Sequence, residues 1–250
     1  MNFENGKLLI HGDCIEELKK IPDKAIDFVY LDLPYGQTAC KWDVKLDHTA
    51  LWVQLRRIAK SDRTPFFFSC TTKFGFELFN SAPKGWFRWD LVWKKNRAAG
   101  FLNAYRLPMR KHEMVYCFAK KCPAYDTSSH NEYKEEALQN VETFLYNKKD
   151  NYVKPKRHKN TLPTSDITQE EEPPSSWCHY PIDEKIDHRT AKPIKLMEFL
   201  LKYWTKEGDV VLDPTAGSGS MGVACKNMNR KFIGIEKDDK IFDLMKTRLK

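Results

Sequence analysis

Several features are missing from the 250-residue sequence, and each absence excludes a class of protein. No apolar run approaches the ~18 residues that a membrane-spanning helix needs. Met1–Lys7 lacks the basic start and the apolar stretch of a secretory signal. The seven cysteines are odd in number and include no CxxC pair, so neither a disulfide framework nor a structural zinc site is indicated. We therefore expect a cytoplasmic protein with reduced thiols, no metal and no membrane association.

Positive charge is what the composition has in excess. The chain carries 42 Lys and Arg against 34 Asp and Glu, which gives a net charge of +8 and a pI of about 9.0. A basic protein suits a polyanionic partner such as nucleic acid, although many basic proteins bind none. The hydrophobic fraction of 41% is enough for the core of one large domain, or of one domain that carries an insert.

Short apolar segments alternate with amphipathic ones along most of the chain. Segments almost free of polar residues are typical of strands in a sheet that is covered on both faces. The predicted strands are Lys7–His11, Ile26–Leu31, Pro65–Cys70, Trp86–Trp93, His112–Ala119, Val210–Leu212 and Lys231–Ile235. Strands that alternate with helical patterns predict an α/β fold with a doubly wound sheet.

The regular pattern is interrupted in the middle of the chain. After Lys120 the apolar residues thin out, and polar and charged runs replace them. Such composition is typical of an irregular segment rather than of a packed core. We therefore predict a main domain formed by residues 1–120 and 186–250, with a small irregular insert at residues 121–185.

A strand that ends on an acid marks the first candidate site. The letters "DLPY" place Asp32, Leu33, Pro34 and Tyr35 directly after the predicted strand Ile26–Leu31. A carboxylate, a rigid backbone and an aromatic ring at the end of a strand are the elements of a binding or catalytic site. The structural alternative is that Asp32 only caps the next segment.

A glycine-rich turn marks the second candidate site. A strand ends at Asp213, Gly217-Ser218-Gly219 leads into a helix, and the next strand ends on Glu236. Such glycines let a ligand approach the backbone, and the acid can accept hydrogen bonds from ribose hydroxyls. The turn is neither GxGxxG nor a P-loop, and it holds no Lys or Arg for a phosphate. A nucleoside-containing cofactor without phosphates, of which S-adenosylmethionine is the common one, therefore fits best; the alternative is a turn without a ligand.

These motifs together carry a resemblance to a known family. "DLPY", then "HRTAKP" at His188–Pro193, then "DPTAGSG" at Asp213–Gly219 are similar to the motifs of DNA amino-methyltransferases. Their order resembles the β group, in which the motifs are permuted, and phage and prophage adenine-N6 methylases in particular. Further similar stretches are "GDCIEEL", "KWD", "LVWKKN", "KHEMVYCF" and "FIGIE". The resemblance spans roughly residues 7–120 and 186–250, and it implies a Rossmann-like methyltransferase fold.

The resemblance implies a role for each residue of "DLPY". Exocyclic amines of bases are poor nucleophiles, because the nitrogen lone pair is delocalised into the ring. Asp32 and the backbone carbonyl of Leu33 would accept from the amine, and Tyr35 would stack on a base extruded from the duplex. The family usually has a proline where this chain has Leu33, so the backbone here lacks a fixed φ. Pro34 keeps its place in the motif.

The resemblance also implies the cofactor residues. Glu236 would bind the ribose hydroxyls, Asp13 the adenine amine, and Thr190 and Lys192 the methionine carboxylate. Asp13 as a mere helix cap and Lys192 as a solvated residue are the alternatives. The complete expected set is Asp13, Cys14, Asp32, Thr190, Lys192, Asp213, Pro214, Thr215, Ala216, Gly217, Ser218, Gly219 and Glu236.

Two basic groups and one tryptophan are the predicted DNA contacts. Family members have their target-recognition region where this chain has its insert, which carries Lys154, Lys156 and Arg157 among other basic residues. The second group lies near the catalytic end of the sheet and comprises Arg97, Arg106, Arg110 and Lys111. Trp42 would wall the extruded base. The alternatives are solvated loops for the basic residues and a core position for Trp42.

The sequence leaves several alternatives open for the function. Methylation of cytosine N4 uses the same chemistry as methylation of adenine N6, which an aspartate at the head of the motif favours by family habit. An RNA or a protein glutamine is a more distant target. A DNA-binding protein with impaired catalysis is a different class, for which Leu33 would be the first sign. A restriction partner and a homodimer are also left open.

Overall fold

A computed structural model describes residues 1–36, 44–101, 104–126, 175–182 and 191–250. All of these except Asp126 and Ser175 belong to one compact unit. The strands are β1 (Lys7–His11), β2 (Phe28–Leu31), β3 (Phe66–Cys70), β4 (Phe87–Ala99), β5 (Arg110–Phe118), β6 (Trp177–His179), β7 (Val210–Asp213) and β8 (Lys231–Glu236). The helices are α1 (Cys14–Leu18), α2 (His48–Ile58), α3 (Thr72–Ser81), α4 (Ile194–Trp204), α5 (Ser220–Asn227) and α6 (Asp239–Arg248).

The strands form one sheet in the order β1-β8-β7-β2-β3-β5-β4-β6. The five strands from β1 to β3 in this order run parallel, β5 is antiparallel to both β3 and β4, and β6 is parallel to β4. From β7 the chain passes through α5 to β8, whereas from β2 it passes through α2 to β3 on the other side. The order therefore reverses between β7 and β2, and such a reversal opens a crevice at the carboxyl ends of the two strands.

Helices cover both faces of the sheet, which confirms the doubly wound fold. On β2, Val29 and Leu31 pack into the cluster formed with α1, α2 and α3. Phe28 and Tyr30 point to the opposite face, into the cluster formed with α4, α5 and α6. Successive side chains of a strand alternate between faces, so a strand buried on both sides has apolar residues throughout.

Strands β4 and β5 extend beyond the apolar segments from which they were predicted. The predicted strand Trp86–Trp93 continues in β4 to Ala99, and β5 begins at Arg110, two residues before its predicted start. The added residues are mostly polar, and backbone pairing as far as Ala99 with Arg110 holds them in the sheet. Apolar periodicity does not detect such residues, because they pair without entering the core.

One short strand lies inside the segment that was assigned to the insert. β6 pairs with β4 at the edge of the sheet, with Cys178 opposite Trp93. Its three residues are too few to give a periodic pattern. Residues 127–174 lie outside the described part of the chain, so the division into a main domain and an insert at 121–185 stays a prediction.

Candidate active site

The three sequence motifs meet at Asp32, which follows the carboxyl end of β2. Its Oδ1 accepts a hydrogen bond from the hydroxyl of Tyr35 at 3.0 Å, and its Oδ2 accepts one from Nζ of Lys192 at 2.5 Å. The Thr215 hydroxyl donates to the backbone carbonyl of Asp32 at 3.3 Å. "DLPY", "HRTAKP" and "DPTAGSG" are thus brought together at the crevice between β2 and β7.

Lys192 is part of a chain of four alternating charges. Its ammonium lies 3.5 Å from Oε2 of Glu113, and Oε1 of Glu113 accepts from Nζ of Lys95 at 2.7 Å. Burial lowers the pKa of Lys192, but Asp32 and Glu113 outweigh it and hold that pKa well above its usual value. Burial likewise raises the pKa of Glu113, and the two lysines outweigh it and lower that pKa. Lys192 and Glu113 therefore stabilise each other's charged form at the centre of the chain Lys95–Glu113–Lys192–Asp32.

The position of Lys192 overturns one alternative for this residue. Lys192 is buried, so it is not the solvated residue that a lysine just before a helix suggested. Its ammonium contacts the carboxylate of Asp32; the expected contact with a cofactor carboxylate stays a prediction. Glu113 and Lys95 were not identified as site residues, although they lie within the similar stretches "KHEMVYCF" and "LVWKKN". The signal that points to Glu113 is that it is the one acid of β5 and directly precedes the apolar residues Met114 and Val115.

The other residues of "DLPY" are held by the core. Leu33 is buried in the cluster on the α1–α3 face, and Pro34 is half-buried. The Tyr35 ring packs on Phe74 with 4.8 Å between ring centroids, and Phe74 in turn contacts His48. Burial, and after it the Asp32 carboxylate, raises the pKa of Tyr35 well above its usual value. Tyr35 is therefore a neutral phenol that donates to Asp32.

The glycine-rich turn is fixed by the carboxylate of Glu236. Oε2 of Glu236 accepts from the backbone of Gly217 at 2.9 Å, and Oε1 accepts from the backbone of Lys237 and Asp238 at 2.8 and 2.9 Å. Gly217 and Gly219 have φ values of +53° and +79°, which favour glycine. A carboxylate has about four acceptor positions, so one remains on Glu236 for a ligand while these three contacts persist.

Asp213, at the end of β7, is a buried acid at the crevice. Burial raises the pKa of Asp213 well above its usual value, and the carboxylates of Asp32 and Glu236 raise it further. Its Oδ1 accepts from the backbone of Thr215 at 3.1 Å. Asp213 therefore favours its neutral form, and it is the carboxylates of Asp32 and Glu236 that fit a cofactor with a sulfonium and an ammonium group.

The remaining residues of the turn serve the fold as well. The Ser218 hydroxyl and carbonyl both accept from the guanidinium of Arg248, at 2.7 and 2.6 Å. Ala216 donates from its backbone to the carbonyl of Ile235. Pro214 lies between Asp213 and Thr215 at the end of β7. Ser218 therefore has a structural partner, and its expected contact with a cofactor stays a prediction.

Asp13 has the capping role that was the alternative reading. Its Oδ1 accepts from the backbone of Ile15 at 3.0 Å at the start of α1, and its Oδ2 pairs with Lys237. The backbone of Gly12 donates to the carbonyl of Glu236, so Asp13 lies at the same edge of the sheet as Glu236. Burial, and then Asp13, raises the pKa of the Cys14 thiol to about 12. Contact of Asp13 and Cys14 with an adenine stays a prediction.

The second basic group lies at the catalytic edge of the sheet, as expected. β5 is antiparallel to β3, with Met114 opposite the last residue of β3, Cys70. The residues of β5 before Met114, which include Arg110 and Lys111, therefore extend beyond that edge, together with the end of β4. Arg97 lies near the end of β4 and Arg106 in the β4–β5 connection. Trp42, Lys154, Lys156, Arg157 and Thr190 lie outside the described residues.

Two kinds of feature are absent from the described ranges of the chain. Within them, no helix has the length and hydrophobicity to cross a membrane. Across the same ranges, no three His, Cys, Asp or Glu side chains are grouped as metal ligands.

The chain is similar in sequence to known DNA methylases. A family model of the N6/N4 type, described as DNA methylase, matches residues 26–247. The chain belongs to this family of DNA methylases. Its relatives include Type II methyltransferase M.HinfI from Haemophilus influenzae, which is 27% identical over 97% of this chain and 68% of its own length.

A second relative and a solved structure extend the comparison. DNA adenine methyltransferase YhdJ from Escherichia coli (strain K12) is 26% identical over 92% of this chain and 78% of its own length. The crystal structure of the M1.HpyAVI–SAM complex aligns with a TM-score of 0.63 at 23% identity, covering 97% of this DNA methylase and all of that chain. This likeness shows that the two share a fold.

Proposed function

We propose that this DNA methylase transfers a methyl group from S-adenosylmethionine to the N6 amine of an adenine in DNA. The observation that carries the proposal is the meeting of Tyr35, Lys192 and Thr215 at Asp32. Tyr35 and Lys192 hold the carboxylate of Asp32, and Thr215 holds its backbone carbonyl, at a topological switch point. Such a carboxylate is a preorganised acceptor, and geometric restraint of this kind is a major source of catalysis.

Asp32 makes the amine more reactive by accepting one of its hydrogens. Oδ1 and Oδ2 each already accept one hydrogen bond, and each has a second lone pair for the amine. The Leu33 carbonyl is the second acceptor. With both N–H groups held, the nitrogen lone pair is localised and directed away from Asp32. After the methyl group has been transferred, the amine loses one proton to water.

The cofactor is assigned to the crevice at the glycine-rich turn. S-adenosylmethionine, when bound, supplies an electrophilic methyl group on a sulfonium. Glu236 would accept from the ribose through its free acceptor position, and Asp32 would provide negative charge that suits the cation. A bound S-adenosylmethionine in the M1.HpyAVI structure supports the assignment by analogy.

Adenine is favoured over cytosine by two observations. The motif begins with Asp32, where the resemblance leans towards adenine, and one relative is named as a DNA adenine methyltransferase. The family model covers both N6 and N4 chemistry, so the base has to be measured. Intact Asp32, Tyr35 and Glu236 also favour an active enzyme over a DNA-binding protein that has lost catalysis.

The test is transfer of a labelled methyl group. Purified protein, tritiated S-adenosylmethionine and unmethylated DNA are incubated, and the DNA is digested to nucleosides. We expect labelled N6-methyl-2′-deoxyadenosine from the parent and none from Asp32→Ala. Labelled N4-methyl-2′-deoxycytidine would contradict the adenine assignment, and transfer to RNA but not to DNA would contradict the proposal as a whole.

A further inference from the structure

The connection between β4 and β5 exposes large apolar side chains at the catalytic edge. Phe101 is 79% exposed, Leu107 is 63% exposed, and Tyr105 is fully exposed. We call residues 100–101 and 104–109 the β4–β5 tip. Exposed rings that are grouped in a short segment are unusual in a protein that has no use for them, because each would gain from burial.

The tip follows closely on the charged chain at Asp32. Glu113 of β5 contacts Lys192, which in turn contacts Asp32. Met109, the last residue of the tip, is four residues before Glu113, a distance of about 13 Å in extended backbone. The tip therefore begins close to the ion pair of Glu113 with Lys192.

The charge of this region selects the partner. Between Asp90 and Glu113 the sequence contains no acid, whereas its basic residues are Lys94, Lys95, Arg97, Arg106, Arg110 and Lys111. A basic surface that also presents aromatic rings is typical of proteins that hold a phosphate backbone and stack on unpaired bases. Charge and position together favour DNA over other polyanions.

We propose that the β4–β5 tip is a wedge that enters the duplex at the target base pair. Tyr105 occupies the space that the extruded base leaves, and Arg106 and Arg110 hold flanking phosphates. Extrusion costs stacking energy, and an inserted side chain offsets part of that cost. The inference rests on the proposed function, because only an enzyme that acts on an extruded base needs such a wedge.

The experiment compares two substrates that differ only in the cost of extrusion. The modified site is first mapped by sequencing, and duplexes with that site are made with a normal pair or with a mismatch at the target base. Single-turnover methylation is measured for the parent and for Tyr105→Ala. Tyr105→Phe keeps the ring. Phe76→Ala removes an exposed ring of α3, which is not part of the tip.

We expect Tyr105→Ala to lose about 5- to 100-fold in rate on the paired duplex, the range that one lost stacking contact gives. On the mismatched duplex the loss should shrink to less than about threefold, since the base is already unstacked. Tyr105→Phe and Phe76→Ala should match the parent on both substrates. Because the tip is exposed, all four proteins should have equal melting temperatures.

An equal loss of methylation rate by Tyr105→Ala on the two duplexes, or no loss on either, would overturn the inference. A parent that methylates neither duplex would instead refute the proposed function. An apolar and basic tip could also bind a lipid surface, so the parent and Tyr105→Ala are sedimented with vesicles of anionic phospholipid. Tyr105-dependent binding to vesicles, with unchanged methylation, would assign the tip to membranes and overturn the inference.

Discussion

Nζ of Lys192 lies 2.5 Å from Oδ2 of Asp32, although 160 positions separate the two residues in the chain. The Lys192 side chain is buried, and Glu113 faces the same ammonium. The ion pair fixes the orientation of the Asp32 carboxylate. In the function proposed above, Lys192 therefore acts on the reaction through Asp32.

Lys192→Met should be the most damaging change in the charged chain. It leaves Asp32 and Glu113 without their shared cation, so we expect a loss of about 3–5 kcal/mol in the free energy of unfolding. Turnover should fall by about 10²-fold or more, because the acceptor is no longer held. The double variant Lys192→Met/Glu113→Gln should recover part of the stability and none of the turnover. Full turnover by Lys192→Met would refute this role.

Asp213 makes stability depend on pH in the direction opposite to most acids. Its pKa is raised on folding, so the folded state keeps a proton that the unfolded state has lost. The free energy of unfolding therefore falls as the pH rises from about 3.9, the usual pKa of Asp, to the raised pKa of the folded state. Asp213→Asn should remove this fall. In urea denaturation, the free energy of unfolding of the variant should therefore rise relative to that of the parent between pH 5 and pH 8. An unchanged difference across that range would contradict the assignment.

Glu236→Ala should weaken binding of S-adenosylmethionine. The variant loses the acceptor for a ribose hydroxyl, which is worth about 1.5–3 kcal/mol for a charged group, and it also releases the backbone of Gly217. Glu236→Gln keeps one oxygen acceptor and should lose less. Titration calorimetry measures both variants against the parent. Equal affinities of all three proteins would place the ribose elsewhere.

Leu33→Pro separates the carbonyl of residue 33 from its side chain. Proline keeps the carbonyl and restricts the backbone, so turnover per folded molecule should be retained. The Leu33 side chain is buried, so stability should fall by about 1–3 kcal/mol as its packing is lost. Single-turnover methylation and urea denaturation are compared with those of Asp32→Ala, which should be inert. A folded but inert Leu33→Pro would show that the pocket depends on leucine.

Sequence patterns predicted those strands whose own side chains are buried in the core. β2 and β3 are buried on both faces, so their apolar runs identified them as strands of a covered sheet. β6 and the outer half of β4 are held by backbone pairing, which leaves no pattern in side chains. Their existence therefore had to come from the structure.

The candidate site also has a part that local sequence predicts and a part that depends on packing. Asp32 and Glu236 end apolar strands, so their position could be predicted from local sequence. The pairing of Lys192 with Asp32, and the contact of both with Glu113, depends on how distant segments pack. The bond of the Ser218 hydroxyl to Arg248 likewise joins distant segments and could not be predicted from the motif, whereas the ligand contact expected for Ser218 stays a prediction.

The hydrogen bond from the Thr215 hydroxyl to the backbone carbonyl of Asp32 joins two motifs that are distant in the chain. In the proposed function, the segment of Thr215 carries the cofactor turn and the segment of Asp32 meets the amine. A ligand on one side that favours the geometry of this bond also favours the other side, and thermodynamic linkage makes the effect equal in both directions. We therefore expect methyl donor and target base to strengthen each other's binding by one common factor.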